Sequence, residues 1–183
     1  GASPIRTAIK DDLREAVGVS IMQMDEQMDH GPIIAQLPFA IDESQWPMPG
    51  PELDLALARA GGTLLADTIP RFLAGTVTPR EQDHDAATYC GKFTKADSEL
   101  ELDPFDLPTG DEAYRLWCTI CAFTGIGETF FRHNGIRVKI TEATLTGDTL
   151  TPLRVVPENQ REQSFEQYRS SLDQACTHSA FST

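Results

Sequence analysis

Residues 18–36 read Gly18-Val19-Ser20-Ile21-Met22-Gln23-Met24-Asp25-Glu26-Gln27-Met28-Asp29-His30-Gly31-Pro32-Ile33-Ile34-Ala35-Gln36. Two apolar runs, each bounded by glycine or proline, enclose a short acidic segment, which reads as strand, loop and strand. The loop carries Asp25, Glu26, Asp29 and His30, and loops held between rigid neighbours are where chemistry concentrates. The same residues also read as a solvated acidic turn, because Asp and Gly dominate turns for local reasons. A hard cation needs oxygen ligands converging from several directions, and one short turn seldom supplies them, so no metal is expected.

Working outward, Ser3 and Pro4 mark the start of a helix expected to run to about residue 13, with Ile5, Ala8 and Ile9 on its apolar stripe. The two strands are expected over 18–24 and 33–41. The connection Trp46-Pro47-Met48-Pro49-Gly50-Pro51 can neither continue a strand nor start a helix before Pro51. Leu53, Leu57, Ala60, Leu64, Leu65, Ile69 and Phe72 then describe an amphipathic helix ending at Gly75, with Pro70 expected to bend or break its last turn. Residues 76–96 lack periodicity and read as an extended linker. A second unit follows: a helix capped by Thr109 and Glu112, an Asn134-Gly135 hairpin, a strand over 150–156 and a last helix capped by Ser164 and Gln167. Residues 174–183 are expected to form a flexible tail.

The 183 residues are enough for one ordinary domain or two small ones, and the 12 prolines point to long connections. No apolar run reaches the roughly 18–20 residues that span a bilayer, and no basic-then-apolar leader opens the chain. A soluble, cytoplasmic protein is expected. The net charge is −13. Residues 1–96 hold 8 basic against 14 acidic groups and residues 97–183 hold 7 against 14, hence −6 and −7. Neither half has the basic excess of a nucleic-acid binder, and the one dense cationic cluster is Arg132, His133, Arg137 and Lys139 across the predicted hairpin. Cys118 and Cys121 form a C-x-x-C inside a helical run without a second ligand pair, so buried apolar packing is the expected role.

The pattern G-V-[ST]-I-M-x-M-D-x-x-[LM]-D-x-G over residues 18–31 resembles the folate-dependent formyltransferases, whose catalytic aspartate stands at the position of Asp29. Gly1-Ala2-Ser3-Pro4-Ile5 is similar to the segment that follows the family's Asn-x-His-x-S-L-L-P stretch. Pro79, Gln82, Thr88-Tyr89 and Lys92 resemble the linker of the methionyl-tRNA branch, and Ala122-Phe123 with residues 135–140 resemble its C-terminal domain. The resemblance implies an α/β fold: the C-terminal portion of a Rossmann-like formyltransferase domain over 1–75, a linker over 76–96 and a shortened, barrel-like α+β C-terminal domain over 97–173. Residues 120–128 depart from the family's I-R-A-F-x-x-W-P-G, lacking its arginine and Trp-Pro pair.

The resemblance further implies formyl transfer from 10-formyltetrahydrofolate to the amino group of methionyl-tRNA in translation initiation. Asp29 would orient the family's histidine and relay a proton. Asp25, Glu26, Gln27 and Met28 would wall the pterin through their backbone, and Arg132, Arg137 and Lys139 would give weak tRNA contact. If the resemblance holds, the chain starts inside the catalytic domain, without the Asn and His, and is expected to be inactive alone. A first residue other than methionine fits a truncated reading frame or a fragment. Another acceptor, a nucleotide-sugar amine, and a non-catalytic, homo-oligomeric remnant are the alternatives.

Overall fold

The computed structural model describes the backbone of residues 2–179 and side chains through Gln174. The chain divides into two compact units, Gly1–Phe93 and Thr94–Thr183. The stretch read as a linker therefore belongs with the first unit as far as Phe93.

In the first unit, helix α1 is Pro4–Lys10, strand β1 is Gly18–Met22, strand β2 is Ile33–Pro38 and helix α2 is Gly50–Leu73. β1 and β2 pair antiparallel, Gly18 opposite Pro38 and Ile21 opposite Ala35, with a register shift after Ile21. β1 is shorter than expected because the chain leaves the ladder after Met22 to build the loop; β2 starts where expected and ends early, at Pro38. α1 starts after Ser3 with Pro4 in its first turn, but the Ser3 side chain makes no capping bond and the helix stops short of residue 13. Ile9 and Leu53 are fully buried and seat the two helices. α2 continues through Pro70 to Leu73 rather than breaking there. It ends in a Schellman closure: Gly75 has φ +68, its N–H donates to Phe72 O, and the Thr76 N–H donates to Arg71 O.

The second unit comprises α3 (Gly110–Phe123), β3 (Phe130–His133), β4 (Ile136–Thr146), β5 (Thr149–Pro157), β6 (Gln163–Ser164) and α4 (Phe165–Ser179). The strands form one antiparallel sheet in the order β3-β4-β5-β6. Asn134 and Gly135 have φ of 50 and 79 and join β3 to β4, the double positive φ of a type I′ turn. Gly147, with φ 62, opens the turn into β5. The Thr109–Glu112 cap does not form through the Thr109 side chain. At α4 the box does close: the Ser164 N–H donates to Gln167 Oε1 and the Gln167 N–H donates to Ser164 Oγ, each at 3.1 Å. α4 runs beyond the expected end near residue 172, so 174–179 are helical; the rest of the expected tail, 180–183, lies outside the described residues.

Phe131, Val138, Ile140 and Val155 from the sheet meet Phe165 and Tyr168 from α4 and Leu100 and Leu102 from the segment before α3. Phe131 is edge-on to Phe165 and Tyr168, with ring centroids 6.5 and 6.1 Å away. Cys118 and Cys121 are buried in α3 as small packing residues. Phe131 is fully buried at the centre of this cluster, so Phe131→Ala should cost about 3–5 kcal/mol in denaturant unfolding. A loss under about 1 kcal/mol would show that the second unit does not depend on it.

Candidate functional site

The loop between β1 and β2 is built by a steric demand. The Gln23 N–H donates to Pro32 O at 2.9 Å, closing its base. Gly31 is buried under that closure, and a Cβ on it would stand 1.8 Å from Gln23 O, so no other residue fits without moving backbone. Asp29 sits in the left-handed region with φ 58, a conformation that Asp tolerates better than most residues.

Inside the loop, Asp25 is the brace. One of its oxygens lies 2.6 Å from His30 Nδ1 and the other accepts the Gln27 N–H at 2.8 Å. These bonds, the His30 contact first and the Gln27 amide second, hold the Asp25 carboxyl below the usual carboxylate range. Glu26, Gln27, Met28 and Asp29 are exposed, Met28 at 93%. The turn places Asp25–Met28 and Asp29 side by side, with the Asp25 side chain engaged inside the loop.

A distant segment fixes this loop. The amide nitrogen of Gln82 donates to Asp29 O at 3.0 Å and to Gly31 O at 2.7 Å. Arg80 exchanges both backbone hydrogen bonds with Ile33, each 2.8 Å. The His84 ring stacks on His30, centroids 3.9 Å apart and 3° from parallel. In the sequence Gln82 reads only as part of a linker pattern, and nothing singles out His84. A contact spanning 53 residues leaves no periodic trace, and the motif around Pro79 and Gln82 was the one available signal.

The cationic hairpin of the second unit is less free than its sequence suggests. Arg132 and Arg137 lie directly opposite each other and Lys139 opposite Phe130, so all share the sheet face away from Phe131 and Val138. Arg132 Nε is 3.1 Å from a Glu99 carboxylate oxygen and Lys139 Nζ is 2.7 Å from Glu128. The Arg137 guanidinium lies 4.1 Å from the Phe130 ring centroid, with its Nε buried and lacking a hydrogen-bond partner. Two of the three expected tRNA contacts are therefore ion-paired within the chain. Among the described residues, no cluster of three or more His, Cys, Asp or Glu is arranged to hold a metal.

No family model matches the chain. It is 40% identical over 103 residues to the methionyl-tRNA formyltransferase of Halorhodospira halophila, covering 55% of this chain and 31% of that protein. The corresponding protein of Chloroflexus aggregans is 31% identical over 158 residues, covering 85% and 48%. Among solved structures, methionyl-tRNA formyltransferase from Clostridium thermocellum matches with TM-score 0.58 at 21% identity, over 86% of this chain and 62% of that one. HypX from Aquifex aeolicus in complex with tetrahydrofolic acid matches with TM-score 0.63 at 12% identity, over 92% and 32%. In sequence the chain is thus similar to part of the methionyl-tRNA formyltransferases, and in fold to solved formyltransferase structures. The chain spans about a third to a half of the length of these curated relatives.

Two outcomes test the loop. Because the folded-state value of Asp25 is lowered, its brace contributes above the ordinary carboxylate range and is lost as pH falls through the lowered value. The Gln27 amide resonance should therefore titrate with a midpoint below an ordinary aspartate's, and Asp25→Asn should abolish that transition. Gly31→Ala should destabilise the first unit by about 1–3 kcal/mol in thermal unfolding; a neutral effect would mean that the close approach to Gln23 is not maintained.

Proposed function

We propose that the chain supplies the aspartate loop and C-terminal unit of a methionyl-tRNA formyltransferase, which moves a formyl group from 10-formyltetrahydrofolate to the amino group of methionyl-tRNA in translation initiation. The observation that carries this reading is Asp29, held in a left-handed turn by Gln82 on a loop rigidified by Gly31. Relatives of that name at 31–40% identity support it. In this division, 1–75 belongs to the catalytic domain, 76–96 links it onward and 97–173 is the C-terminal domain.

Attack of the amine nitrogen on the formyl carbon forms a tetrahedral oxyanion and leaves a proton to be removed from nitrogen; collapse breaks the bond to the folate nitrogen, which takes up a proton. Asp29 orients and charge-stabilises an imidazole and relays the proton through water. These 183 residues hold no Asn-x-His-x-Ser-Leu-Leu-Pro stretch, so the imidazole and the amide are not carried by this chain. With the Asp25 side chain engaged by His30, the backbone of Asp25, Glu26, Gln27 and Met28 meets the pterin's donors and acceptors. Arg132, Arg137 and Lys139 give a weak, salt-screened tRNA contact. The pairing of Arg132 and Lys139 with glutamates favours, as a second reading, a nucleotide-sugar amine as acceptor. The reading places the chain in the cytoplasm; among the described residues no helix is long and apolar enough to cross a membrane.

Self-association is part of the proposal. Among the described residues β1 has a neighbour on one side alone, and because Val17, Val19 and Ile21 turn their backbone bonds toward β2, the polar groups of Gly18 and Ser20 face the open edge.

The chain alone should form no formyl-methionyl-tRNA above background, since each catalytic group removed typically costs about 10²–10⁴-fold. Tetrahydrofolate at millimolar concentration should nevertheless shift the amide resonances of residues 25–28 and leave those of the second unit unmoved. Turnover abolished by Asp29→Asn would overturn the division of the active site; unmoved loop resonances would overturn the folate reading.

A further inference from the structure

α2 is apolar on two faces. One carries Leu53, Leu57, Leu64 and Thr68 and lies against the first unit, with Leu53 and Thr68 buried. The other lies about a third of a turn round the helix and runs Leu55, Ala58, Gly62, Leu65, Ile69, Leu73. Its spacing of threes and fours is that of a helix–helix seam. All six positions are exposed, with Leu55 at 53%, Ile69 at 47% and Leu73 at 78%. Four large apolar side chains in one line on solvent is not the scattered exposure of an ordinary surface.

We propose that this stripe is the contact between two copies of the chain, with their α2 helices packed antiparallel about a twofold axis beside residues 63–64. The stripe says what covers it, because reversed about its own midpoint it fits itself. Leu55 meets the partner's Leu73, Ala58 meets the partner's Ile69, and Gly62 meets the partner's Leu65. Next to the axis, where the backbones come closest, a leucine on each helix enters the hole left by a glycine on the other. A parallel pair would instead set Gly62 against Gly62 and leave a void. The flanks agree: Arg59 falls between the partner's Ala66 and Pro70, and Asp54 beside the partner's Phe72, so no like charges oppose each other across the seam. That matters in a chain of net charge −13, where long-range repulsion works against pairing. The contact rests on the self-association proposed above and gives it a surface independent of the β1 edge.

Gly62→Leu is the sharpest test. Nothing lies within 4 Å of a Cβ built at Gly62, and leucine is the better helix former, so the variant should fold with an equal or higher melting temperature. It fills the hole, and the dimer dissociation constant from sedimentation should rise at least tenfold. Ser20→Pro, which blocks the open strand edge, should leave the mass at twice the 20.1 kDa of the chain. Mixing Leu55→Cys with Leu73→Cys under mild oxidant should give the mixed crosslink in preference to either like pair; the two positions are on the order of 27 Å apart along one helix, so the bond cannot form within a chain. A wild-type chain monomeric at 100 µM overturns both the self-association and its surface. A dimer lost in Ser20→Pro but kept in Gly62→Leu, or crosslinks favouring like pairs, overturns the α2 seam alone.

Discussion

The carbonyl oxygen of Gln23 occupies the space that any side chain at position 31 would need. Everything in the aspartate loop follows from that close approach. It lets Pro32 O reach the Gln23 amide, which turns the chain tightly enough to put Asp29 into the left-handed region. The tight turn also aims the carbonyls of Asp29 and Gly31 the same way, so that one amide group, that of Gln82, holds both. The carboxylate is thus positioned through its own backbone, without needing its side chain to be buried. Such a site can stay open to solvent and still be fixed in direction.

The two units use charge differently. In the first, Asp25 and His30 form a short internal pair, and His84 stacks on its outer side. In the second, 14 acidic groups stand against 8 basic ones, and the basic residues of the hairpin are drawn to the nearest glutamates. Arg137 escapes this by lying on the Phe130 ring, where the aromatic face supplies the partial negative charge. A surface counted by residue type alone would seem to offer three cations; among the described residues, the geometry pairs two of them with glutamates and sets Arg137 on an aromatic ring.

Local chemistry was legible in the sequence wherever the signal itself was local. Asn134-Gly135 determined its own turn, and Ser164 and Gln167 closed their box. Reading failed where a residue's local preference met a competing demand. Thr109 has the type of a cap but makes no capping bond, and Pro70 lies so near the end of α2 that losing one hydrogen bond does not stop the helix. The end of β1 reads too far because Gln23 and Met24 are apolar or neutral enough to pass for ladder, while Gly31 commits them to the loop. The roles of Gln82 and His84 lay beyond any local rule, since they depend on how the chain returns after α2.

The pairing of Arg132 with Glu99 and of Lys139 with Glu128 means that the hairpin holds positive charge in a masked form. Affinity for an anionic partner could rise in a lineage without a single basic residue being gained: loss of either glutamate would release a cation already in place on a preformed strand. Conversely, the surface is protected from casual contact with polyanions so long as both acids persist. The acidity of the second unit is in this sense a tuning element, acting through whom the basic groups are allowed to meet.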